Sequence, residues 1–591
     1  MLRPQWPAWQ KLQKELQEKM SQKTSISIIN AALDKEPADI LFTNARLVNV
    51  FTRSIEQTSV AVADGLIAGF GPRKAREVVD LAGRFLLPGL IDAHIHIEST
   101  LAGPVSFGRA AVACGTTAVV ADPHEIANVL GTKGLDYMLE AAKGSLADIF
   151  YMLPSCVPAT NMESSGACLG ADDLEPYFDN PRVLGLAEVM NFPGVLAGDE
   201  DLLAKIALAK KRGKRVDGHS PLLRGKGLDA YLAAGMESDH ECIRADEAKE
   251  KLEKGMFIMI REGTAAKNLA DLLPIVTAQN AFRCAFCSDD RHPYTLLDDG
   301  HMDSIVRRAI SCGLDPATAI AMASLHPACH FGLARRGAVA PGYIADLVVA
   351  SDIANLHAEA VYKNGLLVAQ NNRAFAQSAA PSPVSVPISM NVAPGSLDFS
   401  IPANSTRARI IELVSGQVLT GHSIKTVPIA DGLATADASQ DIAKLVVIER
   451  HRATGRVGKG FVQGFGLKKG AIAASIAHDS HNIIVAGMDD KSMQTAAQEI
   501  MHMKGGMAVA LGDRVLASLA LPIAGLMSEE PLEEIRSCLD TLIKEAVNLG
   551  CSANDPFMAL SFLALPVIPS LKLTDKGLVD VEKFGFVELF V

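Results

Sequence analysis

His94 and His96 stand one residue apart at the end of an apolar run, Pro88-Gly-Leu-Ile-Asp-Ala-His-Ile-His96. Strand side chains alternate between faces, so the two imidazoles project together and can grip one cation. Asp92 shares their parity and is expected beneath them. A His-x-His pair alone arises by chance. Here further ligand-type residues, Glu188, His219, His240 and Asp289, close later apolar runs. Singly, each has a bland reading: His219 as a polar loop residue before Pro221, Glu188 as a helix-start carboxylate, His240 as part of a solvated acidic turn with Asp239 and Glu241. Jointly, imidazoles and carboxylates at so many run ends are hard to attribute to chance. They exceed the three or four protein ligands of one open site. The surplus points to two ions, one held by His94, His96 and Asp289, the other by His219 and His240, with Glu188 bridging. Such ligands tolerate manganese, iron and zinc alike. Two ions about 3.5–4 Å apart share a water and bring its pKa toward neutrality. Asp289 beside that water is expected to act as a proton shuttle, taking its proton and returning it to a leaving group.

The elements that must position these residues are legible as alternation. Apolar runs at 88–96, 116–120, 149–153, 183–186, 215–216, 237–238, 257–260 and 285–286 are separated by helical stretches. This alternation implies parallel strands, and eight units suggest a closed (β/α)8 TIM-like barrel with its chemistry at the strand C-termini. Short strand-like pieces precede it, with an Asp64-Gly65 hairpin signal between Val62 and Leu66. The β texture returns after Arg336 as two hairpin-like pieces, 337–349 and 360–368. The expected organisation is therefore α/β: a helical extension over 1–37, a small composite β-sandwich domain from 38–87 and 335–375, and a barrel over 88–334 inserted in it. A linker rich in Ser, Pro and Ala follows at 376–395, then a further α/β domain over 396–591.

Composition narrows the function classes. The chain has 591 residues, too many for one core, with 49% hydrophobic residues and net charge −11. Mean hydropathy is +0.19, far from the range of disorder and suggestive of buried subunit contacts in a homo-oligomer. The acidic balance is the wrong sign for a nucleic-acid binder. No stretch of about 18 apolar residues suggests a membrane span. Met1 to Met20 lacks the apolar core of a secretory signal, and ten scattered cysteines fit a reducing, cytoplasmic setting.

The run Pro-Gly-Leu-Ile-Asp-Ala-His-Ile-His, with His219, His240 and Asp289, resembles the amidohydrolase superfamily. Ala121-Asp-Pro-His-Glu-Ile-Ala-Asn-Val129, Leu153-Pro-Ser-Cys-Val-Pro158 and Phe286-Cys-Ser-Asp-Asp-Arg291 are similar to its prokaryotic adenine deaminase branch. So is Gly464-Phe-Gly-Leu-Lys-Lys-Gly through His478-Asp-Ser-His481. The resemblance runs from about Asp39 to the C-terminus. It implies hydrolysis of adenine to hypoxanthine and ammonia at a binuclear manganese or iron centre. Many superfamily members bridge their ions with a carbamylated lysine, whereas the fourth run here ends in Glu188. Alternatives are a cyclic-amide hydrolase of dihydropyrimidinase or dihydroorotase type, or a metal-stabilised scaffold without catalysis. Retention of Asp289 beside the ligands argues against the last, because closed structural sites need no base.

Deamination of adenine needs a proton on ring N1. Glu125 and His124, at the end of the second run, are candidates for supplying it or for an added metal contact; equally, Pro123-His-Glu starts a helix. Cys156, Asp290, Arg291 and His292 are candidates for lining the purine pocket, although Asp290-Arg291 also reads as a local ion pair. Cys284-x-x-Cys287 lacks a second such pair and flanks an apolar core, so inert buried thiols are expected. His96-x-Glu98 lacks the Pro-Cys-x-x-Cys partner of the nucleoside deaminase zinc fold. His478-Asp-Ser-His481 reads as a hairpin connection or as a lid over the barrel mouth.

Overall fold

The computed structural model describes residues 26–264, 266–375, 385–395, 397–414, 417–553 and 555–591. The leader with Trp6 and Trp9, and residues 376–384 of the linker, lie outside the described residues. Residues 26–32 are helical.

The apolar runs become the strands of one parallel sheet: Leu90–His96, Thr116–Ala121, Asp148–Leu153, Val183–Val189, Arg215–Gly218, Ser238–Asp239, Phe257–Arg261 and Cys284–Cys287. Each pairs with the next, and Asp289–Asp290 pairs back onto Ile95 and His96 of the first strand, closing the barrel. Strands covered on both faces lose polar alternation, which is why they read as continuous apolar runs. Ile91, Ala93, Ala118, Val120, Met152, Ala187, Phe257, Met259, Ala285 and Cys287 share one buried cluster, the packed interior of the barrel. Leu90 and Val112 belong to a different cluster, on the outer side.

That division corrects the expectation for Asp92. The ladder between the first two strands shifts register between Asp92 and Ile95. The irregularity breaks simple alternation: Ile91 and Ala93 face the interior, and His94 and His96 turn toward the same side beyond it. Asp92 is left facing outward. It accepts from the backbone N–H groups of His94 at 3.2 Å and Ser288 at 3.0 Å, and lies 3.0 Å from His301 Nε2. Its carboxylate thus ties the first strand to the last instead of lying under the histidines.

Strands before and after the barrel join one nine-stranded sheet. Phe85–Pro88, just ahead of the barrel, pairs antiparallel with Leu347–Ala350, just behind it. Ser54–Ala63 and Leu66–Phe70 form a hairpin across Asp64 (φ 49°) and Gly65 (φ 74°), the two positive φ values a tight primed turn requires. Of the two later pieces, 360–370 is a hairpin, whereas 337–349 contributes the single strand Leu347–Ala350.

The last part of the chain forms an eight-stranded sheet with central strands Ile442–Ile448, Ile483–Gly487 and Ala471–Ala474. Its alternate residues sort cleanly by face. Ala471, Ala473, Ile483 and Val485 pack under helix Asp490–His502. Ile472, Ala474, Ile484 and Ala486 share a cluster with helix Leu532–Asn548 and with barrel residues Ile95, Ile97, Phe107 and Tyr151. This shared core presses the connection between Ala471–Ala474 and Ile483–Gly487 against the barrel mouth. No helix among the described residues is long and apolar enough to cross a membrane.

Candidate metal centre

His94, His96, Glu188, His219, His240 and Asp289 converge at the C-terminal ends of five different barrel stretches. His94 Nε2 and His96 Nε2 lie 3.2 Å apart, at 3.5 and 3.2 Å from Asp289 Oδ1. His96 Nδ1 lies 3.1 Å from the Asp122 carbonyl oxygen. A ring nitrogen facing a carbonyl must carry the proton, so the Nε2 lone pair of His96 points into the cradle, the tautomer a metal ligand needs. His94 and His240 stack at 3.9 Å between ring centroids.

Glu188 stands between two groups of imidazoles. Its Oε1 lies 3.3 Å from His96 Nε2 and its Oε2 lies 3.2 Å from His240 Nε2, with His219 Nδ1 hydrogen-bonded to the same Oε2. One carboxylate oxygen thus serves each side. Both ring nitrogens of His240 lack a hydrogen-bond partner although the residue is fully buried. Burying such a group unpaired is costly, and a cation bound at the ring's lone pair would satisfy one of the two nitrogens.

The charges tell the same story. Burial pushes the His96 imidazole down, but Asp289 and Glu188 outweigh it and raise its pKa well above the usual histidine value. Burial likewise opposes, and Glu188 supports, a rise of His240 to about 9. Burial would raise Glu188 and Asp289, yet His219 beside the first and Arg261 beside the second hold both well below the carboxylate range. The cradle therefore demands positive charge at its centre. The donor set of neutral imidazoles and carboxylates fits divalent ions.

Asp289 adopts φ 56°, a left-handed conformation that Asp tolerates better than most residues. This turn follows Ser288 and swings the carboxylate over the barrel mouth. Arg261 Nη1 donates to Asp289 Oδ2 at 3.0 Å and its Nη2 to Glu241 Oε2 at 3.1 Å. Arg261 and Glu241 stand outside the expected set, although Arg261 closes the seventh run. Behind His219 and His240 lies a fully buried network. Lys251 Nζ donates to Ser220 O at 2.6 Å, Glu247 Oε1 at 2.7 Å and Asp239 Oδ2 at 3.2 Å, and so anchors the residues adjacent to both histidines.

The remaining candidates divide. His124 Nδ1 lies 3.2 Å from Asp122 Oδ2 and 3.5 Å from Glu188 Oε1, at the rim of the cradle. Glu125, in the first turn of helix His124–Leu130, lies 3.1 Å from His478 Nδ1. Asp290 accepts from Ser99 Oγ at 2.5 Å, and burial followed by the charge of Asp289 raises its pKa. Cys156 is buried in the outer apolar cluster, and burial pushes its thiol up. Arg291 is not brought to the cradle. Its guanidinium donates to Gly300 O at 2.6 Å, Ser304 Oγ at 3.0 Å and Glu262 O at 3.2 Å, which knits the loop after the last strand. His292 faces the last domain, with Nδ1 at 3.3 Å from Asp555 Oδ2. Cys284 and Cys287 are buried free thiols, and burial pushes Cys284 up to about 12.

Comparison with known proteins agrees with this geometry. The amidohydrolase family profile matches residues 85–383, and the profile of the adenine deaminase C-terminal domain matches residues 417–585. The adenine deaminase of Desulfatibacillum aliphaticivorans is 53% identical over 563 residues, covering 95% of this chain and 99% of that protein. That of Oleidesulfovibrio alaskensis is 48% identical over 576 residues, covering 97% and 100%. Adenine deaminase 2 of Carboxydothermus hydrogenoformans is 47% identical over 562 residues, covering 95% and 98%.

Proposed function

Because the chain belongs to the adenine deaminase family of the amidohydrolase fold, we propose that the cradle of His94, His96, Glu188, His219, His240 and Asp289 holds two divalent ions and hydrolyses adenine to hypoxanthine and ammonia. Manganese or iron suits this donor set and zinc is compatible with it. The ions supply the nucleophile by bringing the pKa of water toward neutrality.

The chain's own groups handle the protons. Asp289, with Oδ2 fixed by Arg261, takes the water's proton as the oxygen adds to C6. It then delivers that proton to the departing amine, which leaves as ammonia. Glu125 delivers a proton to N1, which makes C6 electrophilic and absorbs the negative charge that addition to C6 would otherwise leave on the ring. The hydroxyl proton released when the C6 carbonyl forms restores Glu125, so water's two protons are accounted for. Hypoxanthine keeps the proton on N1. This places the enzyme in purine salvage.

The position of Glu188, with one oxygen toward His96 and the other toward His240 and His219, carries this reading. Adding adenine to metal-loaded protein tests it, with ammonia and the ultraviolet change followed together. One ammonia per adenine lost is expected, with adenosine and dihydropyrimidine left unchanged. Ring opening of a dihydropyrimidine would replace this reading with the cyclic-amide one, and no turnover of any would favour a scaffold.

A further inference from the structure

Glu125 stands on the barrel, yet its ion-pair partners among the described residues come from the last domain. His478 Nδ1 lies 3.1 Å from Glu125 Oε1, and His481 Nε2 lies 4.0 Å from Oε2. The two histidines are not equivalent. His481 Nδ1 accepts from the Ala477 N–H at 3.3 Å, so its proton is on Nε2, aimed at Glu125 from beyond hydrogen-bonding range. His478 is in range, and its ring stacks on Phe562 at 4.4 Å between centroids.

The connection that carries His478 is braced on every side. The His478 N–H donates to Ser561 O at 3.0 Å, and the His481 N–H to Ala477 O at 2.7 Å. His451 Nε2 lies 2.6 Å from Ser480 O, and Asn482 Nδ2 donates to Ser164 O at 2.9 Å. From below, the fully buried guanidinium of Arg450 donates to His481 O, to Ser389 O at 3.0 Å and to Ala524 O at 2.8 Å. Of the two expectations for this stretch, hairpin connection and lid, the geometry is that of a hairpin connection used as a fixed wall.

We propose that His478 is the positioning residue for Glu125: its imidazole, held by the last domain, aims the Glu125 carboxyl at the substrate, and the barrel alone is an incomplete active site. The physical need is plain. A carboxylic side chain has three rotatable bonds, and a misplacement of about 1 Å at a reacting group costs on the order of 100-fold in rate. Glu125 is buried, and no barrel residue among those described hydrogen-bonds its carboxylate. Burial would raise Glu125, but the His478 charge and hydrogen bond hold it below the usual carboxylate range, so at rest the pair's proton sits on the imidazole and passes to Glu125 only as N1 takes one. Burial would lower His478, and Glu125 raises it instead.

The proposal rests on the assignment of Glu125 as the acid for N1, and two substitutions separate donor from ring. His478→Asn places an amide N–H where Nδ1 stands but loses the stack. His478→Phe keeps the stack on Phe562 but has no donor. In the metal-loaded full chain, His478→Asn is expected to keep kcat for adenine within about 5-fold, and His478→Phe to lose on the order of 100-fold. KM and metal content should stay near the parent's in both; the thermal midpoint should fall in His478→Phe, where buried Glu125 loses its donor, and less in His478→Asn. Equal losses in the two variants, or a larger loss in His478→Asn, would overturn the proposal. So would loss of one metal equivalent in either, since Glu125, His478 and His481 are ligand types in mutual reach and that outcome would make them a further metal site. Glu125→Gln distinguishes the underlying assignment. If it is as active as the parent, the Glu125 role itself fails. If it is slow while His478→Phe is not, only the positioning role fails. Combined with Glu125→Gln, His478→Phe should cost nothing more; an independent further loss would mean that His478 does not act through Glu125.

Discussion

Arg261 Nη1 donates to Asp289 Oδ2 at 3.0 Å, on the oxygen opposite the one that His94 and His96 approach. The two oxygens of Asp289 thereby have separate employments. One is locked by a guanidinium that is itself anchored on Glu241, and the other is left for the cradle. A base held in one rotamer by a buried donor needs no reorganisation at the moment of proton transfer.

Asp289→Asn is therefore expected to keep the fold and most of the metal, because Asn also tolerates the φ of 56° at this position. Turnover of adenine should fall by about 100- to 10,000-fold, the range for loss of a general acid–base group. Steady-state kinetics alongside metal analysis checks this; full activity would remove Asp289 from the proton path.

Glu188→Gln retains the side-chain shape but removes the charge that faces both imidazole groups. Metal content measured by mass spectrometry after dialysis is expected to drop from two ions per chain to one or fewer. An unchanged count would show that Glu188 bridges nothing.

Lys251 is fully buried with Asp239 and Glu247 as its charged partners. Lys251→Met leaves both carboxylates without their cation, a change that costs about 3–5 kcal/mol where a buried pair is broken. Thermal unfolding should show a clear drop in midpoint. Metal retention should also weaken, since Asp239 and Ser220 adjoin His240 and His219.

Glu98 provides a pH signature. Burial, then the charge of Glu125, pushes its carboxyl up to about 8 from 4.5. Between those values the folded protein keeps a proton that the unfolded chain has released, so stability falls as pH rises through that window. The loss is on the order of a few kcal/mol. Glu98→Gln does not titrate, so its unfolding midpoint should vary less from pH 5 to pH 8 and lie above the parent's at pH 8. Parallel curves for the two proteins would contradict this.

Much of the site is legible in the sequence because the barrel's strands are buried on both faces. Their apolar runs show as blocks, and the polar residues ending them are the cradle itself: His94, His96, Glu188, His219, His240 and Asp289. Where local alternation fails, the reason is local too. Asp92 has the parity of His94, but a register shift just beyond it turns the two apart. Arg261 and Arg291 look alike in sequence, each at or just after a run end. Only packing reveals that one grips Asp289 while the other is spent on loop carbonyls. The contact between Glu125 and His478 spans most of the chain and depends on docking of the last domain, to which no periodicity points.

The most direct test of the two-ion account is a titration of metal-free protein with Mn2+, with ammonia release from adenine measured at each addition. Activity is expected to rise with added metal and to saturate at two equivalents per chain. Saturation at one equivalent, or turnover that does not depend on added metal, would contradict the account.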